Sequence, residues 1–382
     1  MKPSTLGWLE RSDSRAIVPH HGPRGANDGL GIARAEGVNL LVSSTATKLS
    51  MHRRFQILLV GSAYLDERYK RIAEGLAPES CEVHRCRTAR EFAAAAAAAD
   101  VILVDRHLAC GRDFMQQSPC LRAVISPIAG IEQIDLKAAN ELGIIVGRGQ
   151  TPENTQGMAE CTVLLMLAAI YDLNGLQEVV RTGVARPTWP LGRLLKGKTI
   201  GLIGFGKIAR GVCERLAPWG VAIKVHSRYP LEYSAPGVGG CALDELLATS
   251  DIVSLHTTLR PETRHLINYE RLRQMKRGVI LINTSRAGLI DEHALAAAVK
   301  EGIVGKVALD ALDPLPLPAH SPLRELPDAI LTPHMLGHTQ EGALNFVATA
   351  IESIRRVLRG EPPLYLCNPE LAERWRNRWS VR

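Results

Sequence analysis

No two cysteines in this chain stand as a C-x-x-C pair. The eight that occur, Cys81, Cys86, Cys110, Cys120, Cys161, Cys213, Cys241 and Cys367, show no zinc-ligand spacing either. A metal centre is therefore not indicated, and reduced core thiols in a cytoplasmic protein are the expectation. Long apolar runs are missing too. The longest strongly apolar stretch, Cys161–Tyr171, is too short for a bilayer span. The first residues lack a basic start followed by an apolar segment, so no secretory signal is expected. Runs of basic charge are absent as well. The 46 Lys and Arg exceed the 39 Asp and Glu by only 7, and the excess is spread out. That favours anionic small molecules over nucleic acid as partners. No solenoid-type repeat is present.

The remaining composition is globular, with 46% hydrophobic and 22% charged residues, and 382 residues suffice for two domains. One stretch organises the rest. Thr199–Ile203 reads as a short buried strand, Gly204-Phe-Gly206-Lys-Ile-Ala209 follows at once, and from Lys207 the apolar positions Ile208, Val212 and Leu216 fall on one helical face. Strand, glycine turn and helix form the context in which a G-x-G-x-x-G/A match carries weight. Gly204 allows the tight turn. Gly206 leaves room for a pyrophosphate against the backbone, and Ala209 lets the helix pack close to the strand. The free N–H groups of the first helical turn face the phosphates. The competing reading is a glycine-rich turn with no ligand.

Residues 1–52 sustain no period and read as a mobile N-terminal extension. Strands are expected at Phe55–Gly61, Val101–Val104, Ala123–Ile125 and Ile144–Val146, with helices between them, at Glu91–Ala99 and Asp135–Leu142 among others. Asn154 to about Thr182 reads as one long helix, opened by a cap at Thr151-Pro152 and spanning roughly 40 Å at 1.5 Å per residue. A second series follows at Thr199–Ile203, Val221–His226, Ile252–Leu255, Val279–Asn283, Val307–Leu309 and Ala329–Leu331. Asp313–Pro327 is proline-rich and irregular. Gln340–Leu358 is a final helix whose apolar face packs back on the first half. Strands alternating with helices give an α/β protein with parallel sheets.

The second strand of the second series ends at His226-Ser227-Arg228. In a dinucleotide fold an acid at this point binds the ribose hydroxyls of NAD, whereas an Arg accommodates the 2′-phosphate of NADP. Ser227 and Arg228 stand there instead of an acid, so NADP is favoured over NAD through charge-assisted bonds. The alternative is that Arg228 is a solvated loop charge.

Met158-Ala-Glu160, Asn283-Thr-Ser-Arg286-Ala-Gly-Leu-Ile-Asp291-Glu292 and Thr332-Pro-His334, taken with the glycine loop, resemble the D-isomer-specific 2-hydroxyacid dehydrogenases. That family includes phosphoglycerate dehydrogenases, glyoxylate/hydroxypyruvate reductases and formate dehydrogenases, and the resemblance spans about Phe55 to Leu358. It implies two Rossmann-like, doubly wound parallel-sheet domains with a cleft between them. Residues 53–153 and 335–382 would form the substrate domain, and 154–334 the dinucleotide-binding domain. It also implies a homodimer through the cofactor domain, acting on a small 2-keto or 2-hydroxy acid.

Roles carry over by position. Arg286 matches the arginine that clamps the substrate carboxylate and polarises the carbonyl, a task suited to a planar fork of donors. His334 matches the proton donor and acceptor at the substrate oxygen, where an imidazole can work in both directions. Ala129 and Gly130, in Ser126-Pro-Ile-Ala-Gly-Ile131, match the loop that binds carboxylate by backbone N–H groups. Lys207 and Ile208 match donors to the pyrophosphate. Thr257, Thr284, Asp310 and Gly337 match positions at the nicotinamide end.

One departure stands out. Aligned without gaps, Leu315 takes the position of the glutamate that holds the histidine in the family, and an apolar side chain cannot stabilise imidazolium. Asp313 would substitute only in a loop two residues shorter, which the register from Pro316-Leu-Pro318 to Pro322-Leu323 opposes. Slow reduction that favours lower pH is the expectation. Identical pH–rate profiles and rates for the wild type and Leu315→Glu would reject it. Formate oxidation would require glutamine at the same place. The competing function is a catalytically weak dinucleotide-sensing or corepressor-like protein. Leu315 and the N-terminal stretch favour that reading; Arg286 and His334 oppose it.

Overall fold

A computed structural model describes residues 53–106 and 108–379; the expected N-terminal extension lies outside them. The chain divides into two compact units. One carries the described residues up to Gly149 and again from Phe346, and the other is Gln150–Asn345.

In the first unit, five strands form one parallel sheet. They are β1 (Phe55–Val60), β2 (Cys81–Cys86), β3 (Val101–Val104), β4 (Ala123–Ser126) and β5 (Ile145–Arg148), in the order β2-β1-β3-β4-β5. The inner strands are almost wholly apolar because both faces are covered. On one face Ile57, Leu59 and Ile125 pack with Tyr69, Leu76, Ile354, Val357 and Trp375. On the other, Leu58, Val104 and Val124 pack with Phe92, Met115 and Ala139. Helix Gln340–Leu358 thus contributes to this core, as its apolar face required.

Two elements here have no counterpart in the sequence reading. The β2 strand mixes charged and apolar residues because it sits at the sheet edge, and among the described residues it pairs only with β1. Helix Ala372–Trp379 is rich in Arg and Glu, and its attachment is concentrated in one residue. Trp375 is 1% exposed, and its Nε1–H donates to the Arg122 carbonyl at 2.8 Å.

The second unit holds seven parallel strands. These are β6 (Thr199–Ile203), β7 (Ala222–His226), β8 (Val238–Gly240), β9 (Ile252–Leu255), β10 (Val279–Asn283), β11 (Val304–Leu309) and β12 (Ile330–Leu331). Their order is β12-β11-β10-β9-β6-β7-β8. Chain direction across the sheet reverses at β6, whose neighbours are β7 and β9. That reversal is the switch point beside which α/β sheets bind ligands. The short edge strand β8, Val-Gly-Gly, carries too little pattern to be read from sequence. Asp313–Pro327 is irregular apart from one 3-10 turn at Pro322–Glu325.

The single long helix expected from Asn154 to Thr182 is two helices, Pro152–Ile170 and Leu173–Thr182, bent by 58° at the break. Asp172 adopts a left-handed φ of 55°, which a helix interior cannot continue through. Its carboxylate accepts from Lys306 Nζ at 2.6 Å. The missing side chain of Gly175 makes room for it, since a Cβ there would lie 2.5 Å from Oδ2 of Asp172. Apolar periodicity runs through Asp172 unbroken, so the break is set by a tertiary ion pair. The first helix is largely buried, whereas the second buries no residue. Among the described residues no single helix is long and apolar enough to cross a membrane.

Candidate active site

The glycine loop joins β6 to helix Lys207–Leu216. Gly204 has φ +97°, and a Cβ there would sit 2.5 Å from the His256 carbonyl oxygen. Only glycine lets the turn pass that close to the end of β9. Gly206 is the opposite case. It begins the helix with extended backbone, and a Cβ would meet no atom within 4 Å. Lys207 and Ile208 are the first helical residues. The first turn has no acid and no side-chain cap, so its N–H groups are open to an anion. Behind them Ala209 is fully buried. The open side of Gly206 and the uncapped amides fit a dinucleotide pyrophosphate.

The other expected cofactor residues leave the same edge of the sheet. Because every strand is parallel, the strand order sets their sequence in space. From one side come His334 after β12, Asp310 after β11, Thr284 and Arg286 after β10, Thr257 after β9, Gly204 after β6, and Ser227 and Arg228 after β7. Neighbouring strands lie about 4.8 Å apart, so the exits of Arg286 and His334 are separated by roughly 10 Å across Asp310. Arg228 is exposed and lies over the Tyr229 ring at 5.6 Å. Among the described residues it has no ion pair, and no acid follows β7 directly.

Two buried polar residues hold the reactive loops. Asp310, 2% exposed, accepts at Oδ1 from Thr332 Oγ1 (2.6 Å), Met335 N (3.0 Å) and Leu336 N (3.2 Å). These bonds straddle His334, whose φ of +58° is costly outside glycine, by about 1–3 kcal/mol, and persists only where its surroundings enforce it. The second oxygen of Asp310 takes no hydrogen bond among the described residues. Asn283 was not anticipated. It is 1% exposed, donates through Nδ2 to the Arg286 carbonyl (2.8 Å), and accepts at Oδ1 from Ser285 N (2.9 Å). Its own carbonyl accepts from Asp310 N at 3.0 Å. One side chain therefore fixes the Arg286 turn, and its backbone ties that turn to Asp310. A buried Asn ending an apolar strand was the available signal.

Thr284 is buried, with its hydroxyl 3.1 Å from that of Thr162. Gly337 is also buried; a Cβ there would lie 2.1 Å from Met158 Sδ, so close packing accounts for the glycine. His256, between β9 and Thr257, is half-buried, with Nε2 2.9 Å from Ser254 Oγ. Burial pushes its imidazole down to about 4, so the ring is neutral near pH 7. Leu315 packs on the apolar cluster around Leu281, Leu309 and Leu323, the place of a hydrocarbon side chain. Ala129 and Gly130 belong to the first unit. Their loop is tied by Ser126 Oγ donating to the Gly130 carbonyl (2.7 Å) and by Gly149 N donating to the Ile128 carbonyl (2.9 Å).

Comparison with known proteins agrees with this geometry. The sequence model for the D-isomer specific 2-hydroxyacid dehydrogenase, NAD binding domain, matches residues 163–335. A glyoxylate reductase of Thermofilum pendens is 38% identical over 267 residues, 68% of this chain and 78% of that protein. A D-3-phosphoglycerate dehydrogenase of Methanocaldococcus jannaschii is 35% identical over 266 residues, 69% of this chain and 50% of that protein. The crystal structure of an NAD-dependent formate dehydrogenase from Staphylococcus aureus in complex with NAD superposes with a TM-score of 0.71. It is 26% identical and covers 81% of this chain and 97% of that one. With a glycine turn shaped for pyrophosphate and this degree of identity over two thirds of its length, the chain belongs to the D-isomer specific 2-hydroxyacid dehydrogenase family, and its second unit carries that family's NAD-binding domain.

Proposed function

We propose that the chain is an NAD(P)-dependent reductase interconverting a small 2-keto acid and its D-2-hydroxy acid. The observation that carries this reading is the arrangement of strand exits. Arg286 and His334 emerge on either side of the buried Asp310, at the sheet edge that also bears the glycine loop. Gly204, Gly206, Lys207 and Ile208 would hold the pyrophosphate, with Thr257, Thr284 and Asp310 toward the nicotinamide. When bound, the nicotinamide supplies or accepts a hydride. The Arg286 guanidinium pairs with the substrate carboxylate and draws electron density from the carbonyl. The Nε–H of the His334 imidazolium gives a proton to the keto oxygen in reduction, and the neutral ring takes it back in oxidation. On the first unit, the N–H groups at Ala129 and Gly130 are proposed as donors to a carboxylate.

Ser227 and the unpaired Arg228 favour NADP over NAD, because a guanidinium beside a hydroxyl suits a phosphate monoester. Arg228→Asp is expected to raise the KM for NADPH on the order of tenfold or more and to leave that for NADH little changed. The chain is also proposed to form a homodimer. Helix Leu173–Thr182 buries none of its residues, and Val180, Trp189 and Leu194 are 80%, 81% and 69% exposed, an apolar surface that a second copy would cover.

Oxidation of NADPH and NADH, followed at 340 nm with glyoxylate, hydroxypyruvate and pyruvate, tests the reaction. Turnover that disappears in Arg286→Ala and His334→Ala supports it. Tight cofactor binding with no turnover on any keto acid would leave the dinucleotide-sensing alternative.

A further inference from the structure

Among the buried side-chain donors of the first unit that find no acceptor, two flank one loop. Arg148 ends β5. Its register partner on β4 is Ser126, so the two side chains stand next to each other on one sheet face, about 4.8 Å apart at the backbone. Alternation places both on the face of Val124 and Val146, where Ile131 and Ile134 also pack. Ser126 is the residue whose hydroxyl grips the Gly130 carbonyl. Arg148 therefore stands beside the Ala129–Gly130 loop at its start. Gln133 lies at the other end of that loop.

Each has a buried donor atom with no acceptor among the described residues. Arg148 Nε and Gln133 Nε2 are buried from solvent without a hydrogen-bond partner. The Arg148 guanidinium makes no ion pair or hydrogen bond among the described residues. The ionisable neighbour on which its charge acts is the Cys367 thiol, which burial keeps protonated and so provides no counter-charge. Its backbone N–H is satisfied by the Tyr365 carbonyl, so the strand does not depend on the side chain. Buried donors are ordinarily paired, and a guanidinium without a carboxylate is a ready partner for an oxyanion.

We propose that Arg148, assisted by Gln133, recognises a second acidic group on the substrate, a distal carboxylate or phosphate of the 2-keto acid held at Ala129 and Gly130. The proposal deepens the reductase reading and rests on it for the identity of the loop. It makes Arg148 a specificity residue for that acid.

The test uses the full chain with three keto acids: glyoxylate with one acidic group, oxaloacetate with a distal carboxylate, and 3-phosphohydroxypyruvate with a distal phosphate. Wild type is expected to show a KM at least tenfold lower for one of the two dianions than for glyoxylate. Arg148→Met should abolish that preference and leave the glyoxylate KM and kcat within twofold, while Arg148→Lys recovers part of it and Gln133→Leu loses a smaller part. Which dianion responds distinguishes carboxylate from phosphate. Equal losses on all three substrates, or no preference in wild type, overturn the proposal. If no keto acid turns over, the reductase reading fails by itself. Calorimetric titration of malate and 3-phosphoglycerate then decides: weakening of tenfold or more by Arg148→Met supports the anion site, and equal affinity overturns it.

Discussion

Gly204 and Gly206 are two residues apart and serve unlike ends. Alanine at 204 would need φ +97° and would drive its Cβ to 2.5 Å from a backbone oxygen, so Gly204→Ala is expected to destabilise the fold by more than about 2 kcal/mol. Alanine at 206 meets no protein atom, so Gly206→Ala should melt within a degree or two of wild type yet bind NAD(H) on the order of tenfold more weakly, because the Cβ fills the phosphate's space. Thermal melts beside cofactor titrations separate the two effects. His256 gives a pH prediction. Its folded-state value of about 4 lies below the ordinary 6.5, so between those values the unfolded chain binds the extra proton. Stability contributed by the neutral ring is whole above pH 6.5 and declines as pH falls toward 4. The drop in urea midpoint from pH 7 to pH 5 should be smaller in His256→Asn than in wild type; an unchanged drop would contradict the assignment. The motifs that carry Arg286 and His334 were visible in the sequence because they have fixed order. Arg148, Gln133 and Asn283 were not, because an unused donor or a buried amide is visible only once its surroundings are known.

At the scale of elements, the inner strands of both sheets, the helix after the glycine loop and helix Gln340–Leu358 follow directly from apolar period, since burial on one or both faces writes itself into the residue pattern. Edge strands β2 and β8 escaped, the first because it is half polar and the second because it is only three residues long. The helix break escaped for another reason: it depends on Lys306, 134 residues from Asp172. The Asn283 bridge belongs to this scale, because it joins the turn after β10 to the end of β11. Asn283→Asp keeps the acceptor for Ser285 N and loses the donor to the Arg286 carbonyl, at a cost of about 1–3 kcal/mol for the carbonyl left unpaired. The expected result is a rise in KM for the keto acid and a fall in kcat, with cofactor affinity within twofold. Equal losses in every parameter would indicate simple unfolding.

For the whole molecule, length and the alternation of strand and helix patterns pointed to an α/β protein of more than one domain, and the two compact units have separate cores. The apolar surface of helix Leu173–Thr182 and the loop after it is a property at this scale, since no residue within its own unit covers it. Val180→Glu is expected to shift the solution mass to that of one chain, 41.6 kDa, in light scattering. A wild type that is already monomeric would dismiss the homodimer. Sequence alone settled what depends on local period and on a few residues at fixed spacing: the parallel α/β architecture, the dinucleotide turn and the family. Tertiary structure decided what depends on neighbours distant in the chain. It bent the long helix through an ion pair, seated His334 in a left-handed conformation braced by Asp310, and left Nε of Arg148 and Nε2 of Gln133 buried with no acceptor among the described residues. Burial, strain and hydrogen-bond satisfaction are properties of surroundings, and no single residue's identity carries them.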